Sequence, residues 1–562
     1  MTKNIFKISK YLCVLGLGLF SFSSCDKFEG EPLDRNQEEN IWSSQDPTGN
    51  KAYQFLHGIY LQIPDIHNRI NNSYLDSSTD DGVPSFETGI GTNVNAFRNG
   101  GISPSNVVDN QWKRNYTGIR RANIFLNNID DVFLKAELEP ERIKWKGEAK
   151  FLRAFYYFEL AKRWGGVPLV GNKVFSEKDD VNTAKSTFDE VVQYIISELD
   201  ESLELVSDVK QITDAEVGRI NKGIVKALKS RVLLYWASPL NNHNNDIDRW
   251  KAAAAAAKEV IDLGSYDLNN NFNDIFTDLK NKEVIFASPS GKNEGIEWNN
   301  SPVGYAYDNN FAHGKTSPSQ NLVDAFLTMN GLPINEDANY DPQNPYINRD
   351  GRLAATIFYN GSRWLQRDVE TFDGGLDKPN LLNRPQTKTG YYLRKFLGNF
   401  EESGKFQGTQ HGFVLIRYAE ILLNYAEALN EVDFNANKKE IEQLIFKLRK
   451  RAGIYEGDGR YGLPADLTQE SMRKLIHNER RIELAFEEHR FWDLRRWKEA
   501  EVYLNQPIEG VDIISKDDGS LKYIRKTVME SMFDASRMYW YPIPLNEFYS
   551  NTKLEQNPNW NY

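Results

Sequence analysis

Residues 415–429 read Leu-Ile-Arg-Tyr-Ala-Glu-Ile-Leu-Leu-Asn-Tyr-Ala-Glu-Ala-Leu, and the spacing of their apolar members decides the fold class. Leu415, Tyr418, Leu422, Tyr425 and Leu429 recur at intervals of 3, 4, 3 and 4, which is one stripe of an amphipathic helix. Ile441, Leu444, Ile445, Leu448 and Ala452 repeat the pattern in a second helix. That helix closes on Lys447, Arg449, Lys450 and Arg451 before Gly453, a basic last turn followed by a terminating glycine. The polar loop between the stripes is short, which predicts an antiparallel pair.

The same reading extends toward the N-terminus. Trp145, Ala149, Leu152, Tyr156, Leu160 and Trp164 line one face of a helix that stops at Gly165-Gly166. Phe188, Val191, Val192, Ile195 and Leu199 line the next, which opens with Thr187 and Glu190 at capping-box spacing. Leu228, Val232 and Tyr235 mark a third helix, and Trp250, Ala254, Ala257 and Ile261 a fourth that stops at Gly264. Repeated helix pairs of this kind predict a mainly α, tetratricopeptide-like array. Two regions interrupt it. Residues 63–110 are rich in Asn, Gly, Ser and Asp, and residues 265–410 in Asn, Gly, Pro and aromatics. Loops of that length inside a compact chain usually carry function, so a rigid helical scaffold with a loop-rich ligand-binding face is expected.

The start of the chain has the pattern of an export signal. Lys3, Lys7 and Lys10 precede the apolar run Tyr11 to Phe20, which is too short to span a bilayer as a helix. Ser23-Ser24-Cys25 follows in the form of a lipobox, with Phe22 at the usual aliphatic position. Cys13 lies inside this leader, so Cys25 would be the only cysteine after cleavage, leaving no internal disulfide and pointing to acylation. The expected organisation is a signal peptide over 1–24, a lipidated tether over 25–40 and one domain over 41–562. The leader carries three lysines and no acids, which takes the formal charge of −11 for the whole chain to −14 for the exported part. Such a balance argues against a nucleic-acid partner, which requires a basic face.

Several longer motifs resemble one family. They are Tyr74-Leu-Asp-Ser-Ser-Thr-Asp-Asp81, Gly147-Glu-Ala-Lys-Phe-Leu-Arg-Ala-Phe-Tyr-Tyr157 and Trp164-Gly-Gly-Val-Pro168. To these are added residues 415–427 and Asn478-Glu-Arg-Arg-Ile-Glu-Leu-Ala-Phe-Glu-Glu-His-Arg-Phe-Trp-Asp-Leu-Arg-Arg-Trp497. The chain closes with Tyr541-Pro-Ile-Pro544 and Asn557-Pro-Asn-Trp560. Together these resemble the SusD/RagB lipoproteins of Bacteroidetes. The departure is Glu488, where the family usually has glycine. The resemblance implies about four tetratricopeptide-like helix pairs, anchoring in the outer membrane facing the exterior, and association with a SusC-like TonB-dependent transporter. It also implies binding of poly- or oligosaccharides without hydrolysis and without a cofactor.

Enzymatic alternatives find little support. The acids and imidazole of 479–497 read as an ion-pair lattice on a helix, with Glu483 reaching Arg480 or Glu487 reaching Arg490 at three-residue spacing. Ala312-His-Gly-Lys-Thr316 has the end of a phosphate loop, but Asn309 stands where its first glycine is required. No acid spacing matches a calcium loop; Asp80 or Asp81 could hold a structural calcium, and none is predicted. A surface glycosidase would need two facing carboxylates, which no motif marks. A scaffold that caps a transporter for a non-sugar nutrient is a further alternative.

Sugar rings stack their C–H faces on aromatic rings while their hydroxyls bond to Asn, Asp or Arg. Polar neighbours single out Trp298, Tyr305, Tyr307 and Trp364, together with Phe86 and Arg98 flanking the Asn-rich stretch 91–99, as exposed candidates for glycan contact. Trp145, Trp164, Trp236, Trp492 and Trp497 lie on helical stripes and are expected in the core.

Overall fold

The computed structural model describes residues 41–560 except 43–45, 68, 71–72, 86–93, 210–216, 308–309, 382–384, 399 and 401–402. The leader, Cys25, the tether and Phe86 therefore lie outside the described residues.

The helical scaffold comprises α1 (Asn50–Tyr60), α2 (Trp112–Asn128), α3 (Glu139–Trp164), α4 (Phe188–Leu205), α5 (Lys222–Ala237) and α6 (Ile247–Ile261). A short α7 (Gly295–Asn300) belongs to the loop face. The scaffold resumes with α8 (Tyr418–Arg451), α9 (Gln469–Glu483) and α10 (His489–Arg496). Local chemistry fixes the ends. Thr187 and Glu190 form the expected capping box at α4, Asn221 accepts from Gly223 N and Ile224 N at α5, and Gly165 ends α3 at φ 70°.

Asp433 interrupts α8 with non-helical φ −166° and ψ 95°. Across this break the Tyr425 hydroxyl donates to Glu440 Oε1 at 3.0 Å, although the two residues are 15 apart. In a continuous helix that separation would span about 22 Å. The chain thus folds back at Asp433, and the halves form the expected antiparallel pair. With α1–α2, α3–α4 and α5–α6 they make four helix pairs, with α8 packed between α6 and α9. The crossing of α2 with α3 requires Gly118, because a Cβ there would stand 2.5 Å from the Tyr156 ring.

Twelve strands among the described residues form six antiparallel two-stranded ribbons. In the first, β1 (Gly82–Pro84) pairs with β5 (Thr316–Pro318); in the second, β2 (Val284–Asn293) pairs with β10 (Thr409–Arg417). Three small ribbons follow: β3 (Ala306–Tyr307) with β4 (Asn310–Phe311), β6 (Ile357–Phe358) with β9 (Tyr392–Leu393), and β7 (Arg363–Trp364) with β8 (Arg367–Asp368). Finally β11 (Ile508–Ser515) pairs with β12 (Leu521–Met529). Leu415, the first member of the decisive stripe, lies in β10 and not in the helix; strand pairing with β2 overrides the periodicity there. Trp145, Trp164, Trp492 and Trp497 are buried as expected. Trp236 is only half-buried, because its indole reaches Asp189 Oδ1 at 2.8 Å under the Arg249 guanidinium.

The 479–497 stretch is a buried ionic junction, with partners other than the short-range ones expected. Glu483 meets Arg352 at 2.9 Å and Arg417 at 2.6 Å, and also pairs with Arg451; Glu487 meets Arg417 at 2.7 Å and Lys395 at 2.6 Å. Arg480 reaches Asp493, and Arg490 reaches Asp80. Residues 484–488 leave the helix, so the i, i+3 geometry no longer applies to Glu487 and Arg490. Withdrawing such ions from water costs several kcal/mol each, which only complete pairing offsets. The junction therefore fixes how the loop face sits on the scaffold. Glu488 adopts φ 64°, a left-handed conformation that favours glycine. It is held there by Arg69, whose Nε donates to it at 2.7 Å, and by Asp76, which accepts from the backbone N–H groups of Phe486 and Glu488 at 3.0 Å each.

Candidate ligand-binding site

The loop face is organised around α7, which begins directly after β2. Its Glu297 is fully buried, accepting from Gly398 N at 3.0 Å and bonding His411 Nε2 at 2.9 Å. Asn300 Oδ1 accepts from Thr316 Oγ1 at 3.0 Å. The carbonyls of Trp298 and Asn299 accept from His313 N at 2.9 Å and Lys315 N at 2.8 Å. Ser85 N in turn donates to Lys315 O at 2.8 Å, continuing the β1–β5 register. The stretch ending at 85 thus meets the turn of chain between 300 and 315 at one place.

Trp298 is half-buried at this meeting point, packed against the aromatic core beneath it. Its ring contacts His313 edge-on at 5.5 Å and Phe406 at 6.1 Å. Burial, followed by the charge of Lys315, lowers the pKa of His313; burial alone lowers that of Lys315. The other side of α7 borders a cavity of about 130 Å³ lined by Asp65, His67, Asn293, Ile296, Asn299 and Phe413. Residues 296 and 299 share a side of a helix, and 298 points away from it. One helix therefore offers an aromatic ring on one side and an amide-lined cavity on the other. His67 bonds the Tyr74 hydroxyl through Nδ1 at 2.9 Å, and burial pulls its pKa down to about 4, so it is neutral at pH 7. No lysine or arginine lines this cavity among the described residues. Asn299 brings an amide donor and acceptor to it, the complement of a neutral hydroxyl-bearing ligand, while the Asn293 amide is engaged by Gly291 O and Gly295 N and that of Asn300 by Ile296 O and Thr316 Oγ1.

The other aromatics selected from sequence have different fates. Tyr305 and Trp364 are buried, correcting the expectation of exposure. Their rings meet at 4.9 Å, the Tyr305 hydroxyl donates to Trp364 O at 2.9 Å, and the Arg367 guanidinium covers Tyr305 at 3.6 Å. With Phe358, Tyr392 and Phe406 they form a small aromatic core beneath the face. Arg98 is also buried, donating to the carbonyls of Ser77 at 2.7 Å and Thr79 at 2.8 Å, and burial pulls its pKa down to about 10. It braces the 74–82 segment from within. The backbone of Tyr307 belongs to β3, while its side chain, like all of Phe86, lies outside the described residues. Asp80 and Asp81, the acids considered for calcium, are paired with Arg481 and Arg490. Among the described residues no cluster of three His, Cys, Asp or Glu side chains could hold a metal.

Sequence reading missed Asp65 and His67, because only the tertiary fold brings residues from the first loop region beside α7; it also missed Asn293, which ends β2 just before α7. Asn299 carried a signal as the polar neighbour of Trp298.

Comparison with known proteins places this architecture. A family model described as "SusD family" matches residues 282–560, and one described as "Starch-binding associating with outer membrane" matches residues 50–234. A SusD-like protein of Formosa agariphila is 26% identical over 508 residues, 85% of this chain and 88% of that one. The crystal structure of a SusD-like protein from Bacteroides fragilis superposes with a TM-score of 0.76 at 25% identity, covering 94% of this chain and 99% of the other. The structure of a laminarin-binding SusD-like protein superposes with a TM-score of 0.65 at 23% identity, covering 91% of this chain and 99% of the other. The paired helices, the ribbon-built face and these matches in series along the chain lead to one conclusion: the protein belongs to the SusD family.

Proposed function

We propose that this protein is a cell-surface lipoprotein, acylated at Cys25, that captures a poly- or oligosaccharide on the face carrying α7. It then delivers that ligand to a SusC-like TonB-dependent transporter without breaking a bond. The observation that carries this reading is the pairing, on one short helix, of the half-buried Trp298 ring with a cavity of about 130 Å³ lined by Asn299. An aromatic face desolvates the C–H side of a sugar, and amides satisfy its rim hydroxyls. Membership of a family that includes a laminarin-binding relative supports the ligand class. The non-catalytic reading is supported by Glu297, whose carboxylate is enclosed and already bonded to His411 and Gly398 N, leaving Asp65 as the carboxylate lining the cavity. Glycosidic hydrolysis uses two facing carboxyl groups.

The test is a calorimetric titration of residues 26–562 with a panel of neutral oligosaccharides, laminarin-derived ones first, with chromatography of the recovered sugar. Binding with saccharide recovered at its original length is expected. Shortened products would overturn the non-catalytic reading. Cys25→Ser should move the protein from the membrane fraction to the soluble fraction, and unchanged membrane attachment would refute the anchor.

A further inference from the structure

Away from the loop face, a groove of about 370 Å³ runs beside the first turns of α2. Its walls are α2, the segment after α3 and the C-terminal stretch 547–554. Trp112, Tyr116, Val170, Phe175, Val181 and Leu554 give it an apolar lining. Hydrogen bonds tie the walls to one another. The Tyr116 hydroxyl donates to Pro168 O at 2.9 Å, and Asn123 Nδ2 donates to Gly171 O and Lys173 O at 2.9 Å each. Arg120 Nη1 donates to Phe175 O at 2.6 Å, and Asn551 Nδ2 to Thr183 O at 2.7 Å. A preformed cleft of this size, mostly apolar with a few polar groups, is what small-molecule sites look like.

Charge defines the ligand further. Lys113, Arg120 and Lys173 stand exposed on the rim, in a chain whose net charge is −11. Lys173 Nζ lies 4.3 Å from the Phe175 ring centre, so its charge sits over the apolar floor. Glu547 is the one carboxylate in the lining. It is half-buried, accepts from Asn546 Nδ2 at 2.8 Å, and is also hydrogen-bonded by Trp112. Asp179 and Asp180 act on Lys173 from outside the lining. A saccharide would leave hydroxyls unbonded against Val170, Val181 and Leu554, which is costly. An apolar body with one anionic head satisfies both walls and rim.

We propose that this groove binds a small aryl or acyl carboxylate, its apolar body on Tyr116, Val170 and Phe175 and its carboxylate among Lys113, Arg120 and Lys173. The groove shares no lining residue with the α7 cavity.

The test uses the exported chain, residues 26–562, which carries neither the apolar leader nor the acylation site. Cinnamate and decanoate are titrated against the neutral cinnamyl alcohol and decanol. The acids should bind, and the alcohols about tenfold more weakly or less. Lys113→Glu with Lys173→Glu, both at exposed positions, should weaken the acids by at least about tenfold, the equivalent of ~1.4 kcal/mol, with the melting temperature unchanged. Val170→Trp should fill the groove and abolish binding. Equal affinity for acids and alcohols, or acid binding that survives both variants, would overturn the proposal. So would no acid binding by the unaltered groove, including the case where only phosphatidylglycerol vesicles are captured.

Discussion

Trp164 and Trp364 are buried to the same depth by different means. Trp164 lies on the inner stripe of α3, with its ring 5.1 Å from Trp112 and 5.9 Å from Tyr541, and its indole donates to Pro542 O at 2.9 Å. Trp364 sits in a two-residue strand and is enclosed by Tyr305 at 4.9 Å and Phe358 at 5.2 Å. The first is buried by a regular element whose packing repeats along the scaffold. The second is buried by loops that bury one another. Between them lies the ionic junction of Arg352, Lys395, Arg417 and Arg451 with Glu479, Glu483 and Glu487, which seats one region on the other. The difference suggests a division of labour. The scaffold sets global stability, the aromatic core under the face sets the position of α7, and Trp298 at the edge of that core is the ring proposed to meet ligand.

The strongest way to break this division is at the junction. Arg417→Met leaves Glu283, Glu483 and Glu487 without their shared guanidinium and should cost about 3–5 kcal/mol, read by chemical denaturation. A loss below ~1 kcal/mol would mean that the junction does not seat the two regions. Next come the two tryptophans themselves. Trp164→Ala should lower global stability by about 3–5 kcal/mol. Trp364→Ala removes a side chain of the same size, but its loss of hydrogen-exchange protection should concentrate in the 284–411 region while α3 keeps its protection. Uniform loss in both variants would erase the distinction.

Acid should loosen the junction's neighbours before pH 2. Burial would raise the carboxyls of Asp80 and Glu427, but Arg481 and Arg490 around the first, and Arg496 around the second, outweigh it and hold each at about 2. A carboxylate depressed in the folded state contributes stability above its unfolded value of about 4, and that contribution vanishes as pH falls toward 2. Burial raises Asp76 and Asp81 and acts in the opposite sense, so the measured slope is the net of the two. The denaturation midpoint should therefore fall between about pH 4 and pH 2, and a flat profile there would contradict the paired state of Asp80 and Glu427. The smallest effect on stability is expected at the surface of the face: Trp298→Ala should change it by less than ~1 kcal/mol.

What was legible in the sequence follows the same boundary. Helical periodicity and end signals such as Thr187 with Glu190 act within a few residues, so the helix pairs could be read directly. The ionic partners could not, because Glu483 reaches residues 352 and 417, far along the chain. Trp298, Tyr305 and Trp364 all have polar neighbours, yet only Trp298 keeps an exposed edge. Local context in a loop does not reveal which remote ribbon will cover a ring. Asp65 and His67 reach the cavity through tertiary structure alone and carried no local mark. Glu488 shows the converse: a position suited to glycine is occupied by a carboxylate that Arg69 and Asp76 hold in place.

We propose that α7 presents ligand contacts on both of its sides. The most direct test is a side-by-side calorimetric titration of the unaltered protein, Trp298→Ala and Asn299→Ala with whichever oligosaccharide the panel identifies. Each variant should bind about tenfold more weakly or worse, at an unchanged melting temperature, as expected for removing a stacking ring or an amide contact worth ~1–1.5 kcal/mol. A saccharide bound by both variants with unaltered affinity would place the site elsewhere on the molecule and contradict the account.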